Sequence, residues 1–295
     1  MQNIFGHFFQ DCIIFENILY YYTIFDYFFV TLHPELRELT NEIFHILRLR
    51  RNQLSRLADT ANANSVQQEL QRALSILLRK DIEVVGAGRT DTGVHARHMA
   101  AHFDWTSSSE EAERQEEAKL PMALDQLAYR LNRILPRDIA VYEVREVSPE
   151  MHARFSATLR TYHYYIHTQK DPFERHYSLQ MNYPLDFEKM NEAAEHFLHH
   201  EDYAAFCKAG GDNKTTICHV KAARWVQTSP TTWYFEITAN RFLRNMVRAV
   251  VGTLIDVGRG KITMEQFLDI LHNGSRSDAG ESMPGNALFL EEVNY

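Results

Sequence analysis

Apolar residues settle into helical and strand periods from about Ser65 onward. In "SVQQELQRALSILLRK" (65–80), Val66, Leu70, Leu74 and Leu77 line one helical stripe, and Ser65 and Gln68 hold capping-box spacing. "DIEVVGAG" (81–88) predicts a strand running into a glycine turn. "HMAAHFDW" (98–105) predicts a second, with Met99, Ala101, Phe103 and Trp105 on one face. "PMALDQLAYRLNRIL" (121–135) reads as a helix opened by Pro121, "DIAVYEVREV" (138–147) as a strand and "TLRTYHYYIHT" (158–168) as another. "LDFEKMNEAAEHFL" (185–198) is a helix that Asp186 can cap, and "ARWVQTSPTTWYFEITAN" (223–240) is a hairpin. "FLRNMVRAVVGTLIDVG" (242–258) predicts a long, mostly buried helix ending at Gly258. A short helix at 263–271 and a strand at 287–295 follow, while the acidic "TSSSEEAERQEEAK" (106–119) interrupts as a solvated loop.

Helices and strands alternate without a strict βαβ rhythm, which points to an α+β class. A strand–helix–strand grouping before residue 147 and again after it suggests two similarly built halves, 62–146 and 147–295. Each would carry a mixed or antiparallel sheet with helices on one face.

Composition adds little. Of 295 residues, 45% are hydrophobic, ample for a globular core, and the net charge of −8 neither demands nor excludes a nucleic-acid partner. Three cysteines, Cys12, Cys207 and Cys218, show neither paired nor zinc-ligand spacing, so the expectation is a reducing cytoplasm and no metal. The apolar first thirty residues are broken by Asp11, Glu16 and Asp26 and lack a basic leader region, so no membrane span is expected there.

The candidate chemistry sits in "GAGRTDTGVHA" (86–96), where Asp91 stands in a glycine-rich turn two residues after Arg89. A dinucleotide loop would need glycine at Asp91, and a P-loop would need Gly-Lys-Ser/Thr. Neither fits. A turn-capping Asp91 with Arg89 as surface partner competes with an exposed acid–base or nucleophilic carboxylate, and spacing alone leaves the two level.

The turn "GRTDTGVHA" closely resembles the signature of the tRNA pseudouridine synthase A family. The resemblance continues through "HARFSATLRTYHYYI" (152–166), "NRFLRNMVRAVVG" (240–252) and "PGNALFLEEVNY" (284–295), covering roughly residues 62 to 295. It implies isomerisation of uridine to pseudouridine at positions 38 to 40 of the tRNA anticodon arm, in a cleft between the two halves. It also implies no cofactor and a homodimer that holds tRNA across both copies. Carried over, Asp91 matches the catalytic carboxylate, Tyr162 the tyrosine that packs on the target base, and Arg248 an arginine that approaches the acid. Arg89 and Thr90 would orient Asp91 or touch the flipped nucleotide. Arg154, Arg160, Arg241 and Arg244 are candidates for the tRNA-backbone surface. His95 is left outside the catalytic set. A non-catalytic RNA-binding protein on the same scaffold is the rival reading, and a generic acid–base enzyme has no motif of its own.

One segment departs from the family. Where members carry Tyr-Asp-Gly-Thr-x-Tyr-x-Gly-Trp-Gln, this chain has "LRRNQLSRLADTA" (49–61). Synonymous codons for those residues can be chosen so that the next frame reads Tyr-Asp-Gly-Thr-Asn-Tyr-His-Gly-Trp-Gln-Ile-Gln, the missing motif. The expectation is a lost base near Ala61, with residues 1–61 an out-of-frame segment outside the family fold; a divergent amino-terminal extension is the rival reading. Phe, Ile, Tyr and Asn, all with AT-rich codons, make up 18 of the first thirty residues and fit an intergenic origin. The amino-terminal sheet would then lack its first strand, leaving a bare edge beside the Asp91 turn and a poorly soluble, inactive product.

Overall fold

Backbone pairing runs through one mixed sheet whose last strand lies at its middle. The computed structural model describes residues 42–49, 65–105, 120–208, 210 and 214–295. The acidic loop 106–119 and most of the first 64 residues lie outside them. The strands are β1 (Glu42–Leu49), β2 (Val85–Gly86), β3 (His95–Asp104), β4 (Ile139–Val147), β5 (Leu159–His167), β6 (Leu179–Gln180), β7 (Val220–Ser229), β8 (Thr232–Ala239) and β9 (Leu288–Asn294). Their order is β4-β1-β3-β9-β5-β8-β7, with β2 on β3 and β6 on β5. Neighbours are antiparallel except β3 with β9 and β5 with β6. Leu290 of β9 is in register with Ala96 of β3 on one side and Tyr162 of β5 on the other.

Among the described residues, five α-helices accompany the sheet: α1 (Val66–Leu78), α2 (Leu124–Ile134), α3 (Phe187–Glu195), α4 (Met246–Gly258) and α5 (Met264–Asn273). Ser65 and Gln68 close the expected capping box on α1, and Asp186 accepts from the Lys189 amide on α3. Val66, Leu70 and Leu74 of α1 bury with Leu127 and Leu131 of α2 against Met99, Ala101 and Phe103 of β3. A second core joins α3, α4 and α5 to Tyr164, Ile166, Phe235 and Ile237. Tyr162 packs against both cores.

Three differences from the sequence reading have local causes. The strand at 81–88 shrinks to Val85–Gly86, because Ile82 and Val84 are buried by packing and the Ile82 amide goes to Ser75 Oγ instead of a ladder. The helix at 242–258 begins only at Met246, because Asn245 takes the left-handed conformation (φ 65°) and resets the chain direction. The expected gap in the amino-terminal sheet is not there: Glu42–Leu49 lies antiparallel to both β3 and β4. Sheet pairing is made by backbone groups, so a run rich in Ile, Phe and Leu fills the place between β4 and β3 whatever its frame of origin.

Among the described residues, no helix is long and apolar enough to cross a membrane.

Candidate active site

The glycine turn lies between β2 and β3, residues 87–94. The Ala87 amide donates to Ala100 O at its start, and the Val94 amide to Asp91 O at its end. Gly93 holds φ +85°, a conformation open to glycine at no steric cost. Gly285 presses on the turn from the short 3-10 segment Gly285–Ala287 that leads into β9. A Cβ there would stand 2.6 Å from the Thr92 carbonyl oxygen. Thus the loop rich in glycine is held in shape by close packing, and Asp91 projects from a fixed turn.

Arg248 of α4 meets it. Arg248 Nη1 donates to Asp91 Oδ2 at 2.9 Å, with the two side chains 21% and 26% exposed. Every other residue of α4 is buried, so the helix presents this one guanidinium out of an apolar surface. Arg248 Nε donates to the Met283 carbonyl, and the Met283 amide returns a bond to Arg248 O. That clamp depends on how closely the 279–283 segment lies on α4. The Gly280 amide donates to buried Thr253 Oγ1 at 2.8 Å, and a Cβ on Gly252 would overlap the Glu281 carbonyl. Gly252→Ala should therefore cost about 1–3 kcal/mol of stability in denaturant unfolding. It should also lower turnover by displacing Met283 from Arg248.

Tyr162 lines the same cavity as Asp91 and Arg248, edge-on to Phe242 with ring centroids 5.1 Å apart. Burial, opposed by Arg160 and reinforced by Asp91, pushes its hydroxyl up to about 12, so it remains a proton donor throughout the neutral range. Arg160 turns inward. Its Nη1 donates to Asn240 O (2.9 Å) and Ala157 O (3.5 Å), and its Nη2 to Arg154 O (2.9 Å) and Ala87 O (3.3 Å). Burial lowers its pKa from the usual guanidinium value, but the group stays charged. It ties the start of the Asp91 turn to the strand end and to the loop carrying Arg154. Arg244 Nη1 donates to Gly210 O at 3.0 Å.

These residues surround a cavity of about 430 Å³ walled by Gly88, Arg89, Thr90, Asp91, Arg154, Arg160, Tyr162, Phe242, Arg244 and Arg248, among others. Of the nine sequence candidates, only Arg241 lies outside the lining. It is half-buried on the loop before α4. The lining also includes groups that sequence reasoning missed: Phe242, Asn245 and Leu288. Asn245 had a signal, since asparagine before a helix is the residue that tolerates left-handed backbone. A larger depression of about 510 Å³ near Tyr183, Phe187 and Trp233 has no carboxylate, histidine or cysteine in its wall. Among the described residues, no three His, Cys, Asp or Glu side chains gather as metal ligands would.

An acid gripped by an arginine, facing an aromatic ring in a cleft ringed with guanidinium groups, is suited to chemistry on a nucleotide. A family model described as tRNA pseudouridine synthase matches residues 193–295. A tRNA pseudouridine synthase A of Bacteroides fragilis is 52% identical over 234 residues, covering 79% of this chain and 88% of that protein. Its counterpart in Porphyromonas gingivalis is 47% identical over 235 residues, covering 79% and 89%. That of Bacillus subtilis is 39% identical over 235 residues, covering 78% and 90%. The chain belongs to the tRNA pseudouridine synthase family.

Proposed function

We propose that this protein isomerises uridine to pseudouridine in tRNA, at positions 38 to 40 of the anticodon stem-loop, with Asp91 as the reacting carboxylate. The observation that carries the reading is the 2.9 Å Asp91–Arg248 pair sharing one cavity with Tyr162. Relatives bearing the name tRNA pseudouridine synthase A at 39–52% identity support the substrate class.

The reaction breaks the C1′–N1 bond, turns the uracil and forms C1′–C5, while one proton moves from C5 to N1. Nothing is oxidised and no group is lost, so no co-reactant is called for. The chain's residues have separable tasks. Tyr162 offers a ring face that replaces the stacking lost when uridine leaves the helix. Its protonated hydroxyl can donate a hydrogen bond or relay the proton. Arg248 fixes the direction of the carboxylate, and Asp91 provides the covalent or proton-accepting group that divides the step. Thr90 and Arg89 flank the acid. Arg154 and Arg244 supply positive charge at the wall toward tRNA phosphates, while Arg160 braces it.

The two-core arrangement around Tyr162 supports a reading as two similarly built halves with the site between them. The same resemblance supports a cytoplasmic homodimer. The relatives match about 79% of this chain, and the uncovered fifth supports the proposal that residues 1–61 arise from a shifted frame. Any peptide from residues 1–48 in mass spectra of the native protein would overturn that proposal.

Purified protein incubated with an unmodified tRNA transcript should place pseudouridine at positions 38 to 40. Binding without conversion would favour the non-catalytic RNA-binding reading, and conversion elsewhere would move the site.

A further inference from the structure

We infer that Phe155 is a stacking platform for a nucleobase adjacent to the uridine held in the cavity, so that the enzyme grips two bases rather than one. The inference rests on the proposed function and extends it. Phe155 is 76% exposed, a costly position for a phenyl ring unless something covers it. Single exposed aromatics are common, so exposure alone carries nothing. Phe173 is more exposed still, at 87%, but its loop contributes no residue to the cavity.

Phe155 differs because its loop is built rigidly and joins the wall. Ser156 N donates to His152 O and the His152 amide to Ser156 Oγ, both at 2.9 Å. His152 Nδ1 accepts from the amides of Arg154 (3.1 Å) and Phe155 (3.2 Å). The Ala153 amide donates to His102 Nδ1 at 3.1 Å, fastening the loop to β3, and Arg160 Nη2 holds Arg154 O. Burial, then the neighbouring His152, lowers the pKa of His102, which keeps the imidazole neutral and able to accept that bond. The His152 ring lies against Phe155, centroids 4.3 Å apart. The Arg154 guanidinium stands 5.7 Å from the Phe155 centroid, and Arg154 itself lines the cavity with Asp91.

A cation beside an exposed, pre-set aromatic is how proteins hold an unpaired base by its face and its phosphate by charge. The occupant is therefore a single-stranded nucleotide next to the target. Preorganisation matters here, because a ring already fixed loses little freedom on stacking.

Wild type, Phe155→Leu and Phe155→Trp are titrated with an unmodified tRNA transcript, reading affinity, turnover and tryptophan emission. Phe155→Leu should weaken tRNA binding roughly 5- to 150-fold, with the loss in KM rather than kcat. Phe155→Trp should bind like wild type, and its emission should be quenched by tRNA beyond the change that wild type shows. Leucine binding as tightly as phenylalanine, or emission indifferent to tRNA, overturns the inference. Failure of wild type to form pseudouridine overturns the function instead, because binding and quenching are read without turnover.

Discussion

Asp91→Asn should lose more than about 10⁴-fold in pseudouridine formation while binding tRNA as wild type does. The substitution is nearly isosteric and keeps an oxygen for Arg248 Nη1, now 2.9 Å from Asp91 Oδ2, so the turn and cavity should persist. What disappears is the charge and nucleophilicity of the second-row atom that reacts. Single-turnover conversion of a transcript measures the rate, and filter binding measures the affinity. Retained turnover in this variant would move the chemistry to another group of the wall, with Tyr162 the next candidate. Loss of binding alongside turnover would mean that Asp91 holds the fold of the cleft.

Arg248→Met should give the second largest loss, about 10²- to 10³-fold in kcat, with tRNA affinity little changed. Methionine fills the apolar corridor of α4 but returns nothing to Asp91 or to the Met283 carbonyl. A carboxylate in a site only a quarter exposed then loses the Arg248 charge that pairs with it. Arg248→Lys should recover part of the rate, since an ammonium can pair with Asp91 but cannot also span to Met283. Equal rates for lysine, methionine and arginine would show that the pair braces the halves and takes no part in turnover.

Local signals served this chain well where one segment decides its own structure. The capping box at Ser65, the Asp186 cap and the periodicity of α1 are written in a few adjacent residues. The Asp91 turn was legible as a motif, but its partner was not legible from spacing. Arg248 lies 157 positions away, and only the placement of β9 between β3 and β5 brings them together. Arg160 shows the other limit. Its partners are the carbonyls of Ala87, Arg154, Ala157 and Asn240, groups that every residue owns and no pattern marks. Asn245 bent the chain where hydrophobic periodicity ran straight on, and β1 paired through backbone that composition had set aside.

The central seat of β9 has a bearing on biogenesis. During synthesis β3 leaves the ribosome long before residues 288–294 exist, and so does β5. Until then each keeps an unpaired margin facing the other, open to mispairing with a neighbouring nascent chain. Closure late in translation makes this a slow, non-local folding problem that would benefit from chaperone shielding.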